Sequence, residues 1–170
     1  MNIALIVTGG TFDKEYDELT GALFFKRTHV QEMLSLGRCR LSARLEIVML
    51  KDSLEITDAD RQIILEACQK SPESKIVITH GTDTMEHTAR MLGPALADSG
   101  KTVVLTGAMI PYRFGSSDGM FNLGCAIGLV QALPPGVYIG MNGQYFHWQN
   151  VTKNRREGYF HAIKSRSRST

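Results

Sequence analysis

The sequence predicts a three-layer α/β fold, with a mostly parallel sheet and helices on both faces. Two observations carry this. Short apolar runs at residues 2–7, 45–50, 76–78, 102–105 and 137–141 recur along the 170 residues. They are apolar on both faces, as strands buried inside a parallel sheet are. Between them lie segments with a helical apolar period, the crossovers that parallel neighbours require.

Taken in order, residues 2–7 form a first, central strand, and Gly9-Gly10 lets the backbone turn tightly or approach a ligand. Residues 13–21 are polar and without period, which predicts a mobile loop over the sheet edge. Ala22-Leu23-Phe24-Phe25 is apolar but has no clear place. Val30, Met33, Leu34 and Leu36 predict a short helix ending at Gly37. After the second strand, Thr57 with Asp60 three residues on predicts a capped helix buried through Ile63, Ile64, Ala67 and Cys68 and stopped by Ser71-Pro72. After the third, Asp83 with Glu86 has the spacing of another capping box. Met85, Ala89, Leu92 and Leu96 form the stripe of a helix that Ser99-Gly100 closes. Asp118 is expected to cap the last helix, which Leu133-Pro134-Pro135-Gly136 ends. Asn142-Gly143 is a hairpin turn signal that joins the fifth strand to an edge strand at residues 144–148. Residues 1–160 are thus expected to form one domain of Rossmann-like or flavodoxin-like build. Residues 161–170 are expected to be a basic, disordered tail.

Chemistry concentrates where strands end. The run Lys75-Ile-Val-Ile-Thr-His80-Gly81-Thr82-Asp83-Thr84 carries an apolar strand into a helix, so Thr82 and Asp83 fall at the carboxyl edge of the sheet, where such folds hold ligands. A second threonine turn, Thr8-Gly9-Gly10-Thr11, follows the first strand. Either one alone reads as a strand end or a cap. Together and in this order, TGGT and HGTDT resemble the two hallmark motifs of the L-asparaginase family of threonine amidohydrolases.

The resemblance implies roles residue by residue. Thr11 matches the nucleophile and Thr82 the second catalytic threonine, with Asp83 beside it. Lys153, in Val151-Thr152-Lys153, matches the lysine that completes the Thr–Lys–Asp group. It acts as a base only where its neutral form is accessible; Asp83 favours the ammonium and would orient the lysine instead. Ser53 matches the serine that holds a substrate α-carboxylate, Asp83 faces the α-ammonium, and Gly10, Gly81 and the Ala108 carbonyl complete the substrate site. Tyr16 is the candidate lid tyrosine, with Phe24 nearer in register. Two departures stand out. The second, smaller domain that family members carry is expected to be absent. Leu54 stands where the bacterial enzymes have a glutamine for the α-ammonium, leaving Asp52, Glu55 or another chain to serve. The implied activity is hydrolysis of a small amide such as L-asparagine to aspartate and ammonia; the alternative is a non-catalytic binder of an aspartate-like ligand on the same scaffold. A homo-oligomer, dimer or tetramer, is implied. Phe24, Phe25, Tyr145, Phe146 and Trp148 are either its interface or core.

Composition excludes other classes. The net charge of +2 hides an uneven split. Residues 153–170 hold six Lys/Arg against Glu157, and the rest has 13 basic against 16 acidic residues, a net of −3. No basic face is interleaved with aromatics, so nucleic acid is not the expected partner. No run reaches membrane-span length, and residues 3–7 are too short for a signal-peptide core, so neither membrane nor secretion is expected. Cys39, Cys68 and Cys125 are scattered and odd in number, which argues against a disulfide framework and for the cytoplasm. The histidines lack paired metal-ligand spacing, and the first turn lacks GxGxxG and the P-loop Lys-Ser/Thr, so neither metal nor nucleotide cofactor is expected.

Overall fold

Strict alternation along β1 (Asn2–Gly9) sends Ile3, Leu5 and Val7 to one face of the central sheet and Ala4 and Ile6 to the other, all fully buried. That double burial makes β1 an interior strand. The computed structural model describes residues 2–163.

The central sheet adds β4 (Ser42–Lys51), β5 (Lys75–Thr79), β6 (Thr102–Thr106), β7 (Gly136–Met141) and β8 (Gln144–His147), in the order β4-β1-β5-β6-β7-β8. The first five are parallel, and β8 returns antiparallel through the Asn142-Gly143 turn. Asn142 has φ 53° and Gly143 φ 77°, the left-handed pair that a two-residue hairpin demands. Counted along the chain, the parallel strands run second-first-third-fourth-fifth. The winding therefore reverses between β1 and β5, and a ligand crevice opens at such a reversal.

Helices α2 (Asp58–Lys70) and α3 (Met85–Ala95) cover one face through Ile64, Cys68, Met85, Ala89 and Leu92. Helices α1 (Val30–Leu36) and α4 (Gly119–Ala132) cover the other through Val30, Met33, Leu123, Ala126 and Val130. The fold class is thus as the sequence predicts. Cys68 is core, and burial pushes its thiol up to about 12; Cys125 is only half-buried. Phe146 and Trp148 pack on the core, with Trp148 lying against Gly93 of α3, whereas Tyr145 and Phe24 remain exposed.

Several local expectations change. The loop expected at residues 13–21 instead enters a hairpin, β2 (Lys14–Tyr16) paired with β3 (Leu23–Phe25), which gives the apolar run at 22–25 its place. Only Thr57 makes its expected capping box with Asp60. Asp83 and Glu86 make no capping box, and Asp118 holds the N-cap position of α4 without a side-chain bond to the helix backbone, because other partners take these carboxylates. Helix α3 ends at Ala95, just past Pro94, several residues before Ser99-Gly100. Beyond the sheet, β9 (Thr152–Asn154) pairs with β10 (Tyr159–His161), so His161 belongs to a strand rather than to the expected tail. Residues 164–170 of that tail lie outside the described residues. Among the described residues, no helix is long and apolar enough to cross a membrane.

Candidate active site

The two threonine turns meet backbone to backbone at the reversal of winding. A Cβ added to Gly10 would stand 2.3 Å from the Gly81 nitrogen and 2.5 Å from its Cα. Gly10 also has φ 78°, so only glycine fits there without strain. Gly10 N–H donates to the Lys51 carbonyl at 2.8 Å, tying the first turn to the end of β4. Ser53, buried in the short 3₁₀ turn after β4, lies against Gly81 on the other side. Its carbonyl accepts from Thr84 Oγ1 at 2.7 Å. Gly10, Gly81 and Ser53 thus pack together at the crevice where the winding reverses, and half-buried Thr11 follows Gly10 directly.

Lys153 reaches this crevice from β9. Its amine donates to Thr82 Oγ1 at 2.8 Å and to Asp83 Oδ1 at 2.7 Å, with the lysine side chain only 5% exposed. Two contacts to α3 hold β9 in place: Lys153 N–H donates to Glu86 Oε2, and Arg90 donates to the Val151 carbonyl. Thr82 Oγ1 in turn faces Met109 Sδ at 3.5 Å. Arg155 reaches the Asp83 carbonyl at 3.3 Å.

Sequence reasoning missed the residues that support these turns. His80 is fully buried, and burial lowers its pKa to about 4, so it is neutral. Arg61 Nε donates to Thr88 Oγ1, and Thr88 Oγ1 and the Gly81 carbonyl flank the two ring nitrogens at 2.8 and 2.7 Å. One consistent proton arrangement runs Arg61 to Thr88 to His80 to the Gly81 carbonyl. A histidine inside HGTDT is the available signal, but the spacing between histidines speaks only to metal binding. The Ala108 loop is held from α4. The Asp118 carboxylate accepts the Met109 and Ile110 N–H groups, and Asn122 Nδ2 donates to the Gly107 carbonyl at 2.9 Å.

The hairpin after Thr11 is pinned by charge. Lys14 pairs with Asp52, whose other oxygen accepts Leu54 N–H. Glu15 Oε1 lies 3.2 Å from His29 Nε2, yet neither ring nitrogen of buried His29 has an aligned hydrogen-bond partner. Fully buried Asp13 accepts His29 N–H and Thr28 Oγ1 through one oxygen; its other oxygen has no partner. Burial outweighs those two bonds and raises Asp13 to about 6. Burial likewise holds His29 below its ordinary value, against the pull of Glu15. Tyr16 lies on β2 and is 54% exposed. Leu54 is 67% exposed beside Ser53, Glu55 is also exposed, and Asp52 is committed to Lys14.

Fold and crevice together describe an α/β protein with a threonine–lysine–carboxylate cluster at the carboxyl edge of a parallel sheet. Comparison with known proteins narrows that class. The family model described as asparaginase, N-terminal, matches residues 2–169. The chain belongs to the asparaginase family. A glutaminase-asparaginase of Acinetobacter glutaminasificans is 38% identical over 168 residues, covering 89% of this chain and 49% of that protein. An L-asparaginase 1 of Escherichia coli is 34% identical over 117 residues, covering 67% of this chain and 35% of its own length. Among solved structures, the thermostable L-asparaginase from Thermococcus kodakarensis superposes with a TM-score of 0.85 at 27% identity, over 97% of this chain and 52% of that one. The chain therefore spans about half the length of these relatives or less.

Proposed function

We propose that this chain is an amidohydrolase that cleaves a small side-chain amide, of asparagine or glutamine type, with a threonine nucleophile. The observation that carries the proposal is the Lys153 amine bridging Thr82 Oγ1 and Asp83 Oδ1. A hydroxyl is a weak nucleophile until a neighbouring group moves its proton. Here an almost wholly buried amine touches the Thr82 hydroxyl, and the Gly10–Gly81 contact supports a role for Thr11, which follows Gly10 in the facing turn. In this scheme Thr11 attacks the amide carbon, and Thr82 with Lys153 relays the proton to the leaving nitrogen. Asp83 holds the amine in place and faces the substrate's ammonium. Ser53 takes the substrate carboxylate, the Ala108 carbonyl takes the amide N–H, and backbone donors beside Gly10 and Gly81 receive the oxyanion. The β2–β3 hairpin with Tyr16 serves as the lid. Relatives named glutaminase-asparaginase and L-asparaginase support the substrate class, and the three free cysteines suit a cytoplasmic setting. A homo-oligomer that covers the mouth of the site completes the proposal.

The test is ammonia release from L-asparagine, L-glutamine and succinamate by the wild type, Thr11→Ala and Thr82→Ala. Turnover by the wild type and loss of at least about 100-fold in both variants is expected. The Lys153–Asp83 ion pair favours one other reading, because it stabilises the ammonium that cannot act as a base. On that reading the chain binds an aspartate-like ligand without turnover. Thermal stabilisation by L-aspartate with no ammonia from any amide would establish it and end the amidase proposal.

A further inference from the structure

The strand order lays the site out as a row. Ser53 follows β4, Thr11 follows β1, Thr82 follows β5, Met109 follows β6, and Asn142 follows β7. Neighbouring strands are about 4.8 Å apart. A substrate whose carboxylate sits at Ser53 and whose carbonyl sits between Thr11 and Thr82 therefore points its amide nitrogen along the row, towards Met109. The nitrogen lies one bond from the carbonyl, and a primary amide ends there. The row does not.

Beyond Met109 is a cavity of about 290 Å³, bounded by Met109, Ile110, Tyr159, Asn142, Asp118 and Glu157. A dry cavity of about 150 Å³ accommodates benzene, so this one has room for an aryl group. Its apolar walls are unsatisfied: Met109 is 43%, Ile110 39% and Tyr159 58% exposed. Asp118 is committed to the Met109 and Ile110 N–H groups, and Glu157 accepts from Asn154 Nδ2 at 2.8 Å. Asn142 borders the cavity at the hairpin turn, and its N–H donates to Asn122 Oδ1 at 3.0 Å. The Met109 side chain, flexible about three bonds, touches the Thr82 hydroxyl on one side and lines this cavity on the other.

We propose that this cavity is a leaving-group subsite, and that the chain cleaves amides whose nitrogen carries an apolar substituent. This rests on the threonine amidase chemistry proposed above. The hydroxyl oxygen bonds to the carbonyl carbon and the C–N bond breaks. The nitrogen takes up the hydroxyl proton and leaves as a primary amine in place of ammonia. Water then cleaves the ester and restores the hydroxyl.

The experiment compares L-asparagine with N4-benzyl-L-asparagine, following ammonia and benzylamine, in the wild type, Ile110→Trp and Tyr159→Ser. The expected result is a kcat/KM for the benzyl amide at least equal to that for asparagine. Ile110→Trp, which fills the cavity, should lower the benzyl value by about tenfold or more and change the asparagine value by no more than about twofold. Tyr159→Ser, at an exposed position, should show the same selectivity. If asparagine is cleaved while the benzyl amide is neither cleaved nor inhibitory, the subsite is overturned and the amidase proposal stands. Equal losses for both substrates in the variants also overturn the subsite. Turnover of neither substrate by the wild type overturns both proposals.

Discussion

Replacing Asp13 by asparagine should change how stability depends on pH, in a direction fixed by burial. Asp13 is wholly inaccessible, has one partnerless oxygen and titrates near 6 rather than 3.8. Its folded pKa lies above the unfolded one. Between those two pH values the native chain keeps a proton that the unfolded chain has released, so the free energy of unfolding falls as pH rises through the window. Above about 6 the full cost of the buried carboxylate is present. A gap of that size corresponds to roughly 3 kcal/mol. The substituted amide keeps an oxygen for His29 N–H and Thr28 but never ionises. Urea unfolding of both proteins from pH 4 to pH 7 should therefore show Asp13→Asn gaining on the wild type by about 2–3 kcal/mol across the range. The Asp60 carboxylate, which Lys51 and Thr57 lower to about 2, is common to both proteins and cancels. A difference between the two proteins that stays flat from pH 4 to pH 7 would contradict this account of Asp13.

Three further outcomes are expected. Gly10→Ala forces a Cβ into the Gly81 backbone at a left-handed φ, so calorimetry should record a loss of about 2–5 kcal/mol and amide turnover should disappear with it. Lys153→Met removes the amine yet leaves Asp83 with 43% of its side chain in water. Stability should drop by only about 1–2 kcal/mol, while kcat falls by about 100-fold or more; comparable activity would exclude Lys153 from the chemistry. Lys14→Met removes the Lys14–Asp52 ion pair of the hairpin. Amide exchange in residues 14–25 should accelerate by about fivefold at low salt, and 1 M salt, with a screening length of about 3 Å, should shrink that difference.

The central sheet was legible because each parallel strand is a short apolar run whose neighbours in sequence are helical. Two of the turns were legible letter by letter, as TGGT and HGTDT. What escaped the sequence has a common physical origin. The segment at 13–25 carries few buried apolar side chains, so no period betrays its hairpin; its fixing contact, Lys14–Asp52, joins residues 38 positions apart in the chain. Asp83, Glu86 and Asp118 stand at helix starts and look like caps. A cap is worth about 1 kcal/mol, and a lysine amine or a pair of loop N–H groups competes successfully for the same oxygens. Beyond its place inside HGTDT, His80 gives no local sign of its task. Its support of Gly81 depends on Thr88, eight residues further on, and on Arg61 of another helix.

The Gly10–Gly81 contact and the Lys153–Thr82 hydrogen bond each close a span of 71 residues. The second span begins where the first ends. During synthesis, then, the two hydroxyl turns can meet while the strand that brings the amine is still unmade. The Lys153–Thr82 pairing can therefore form only after β9 is made, which makes it a marker for a late step of folding.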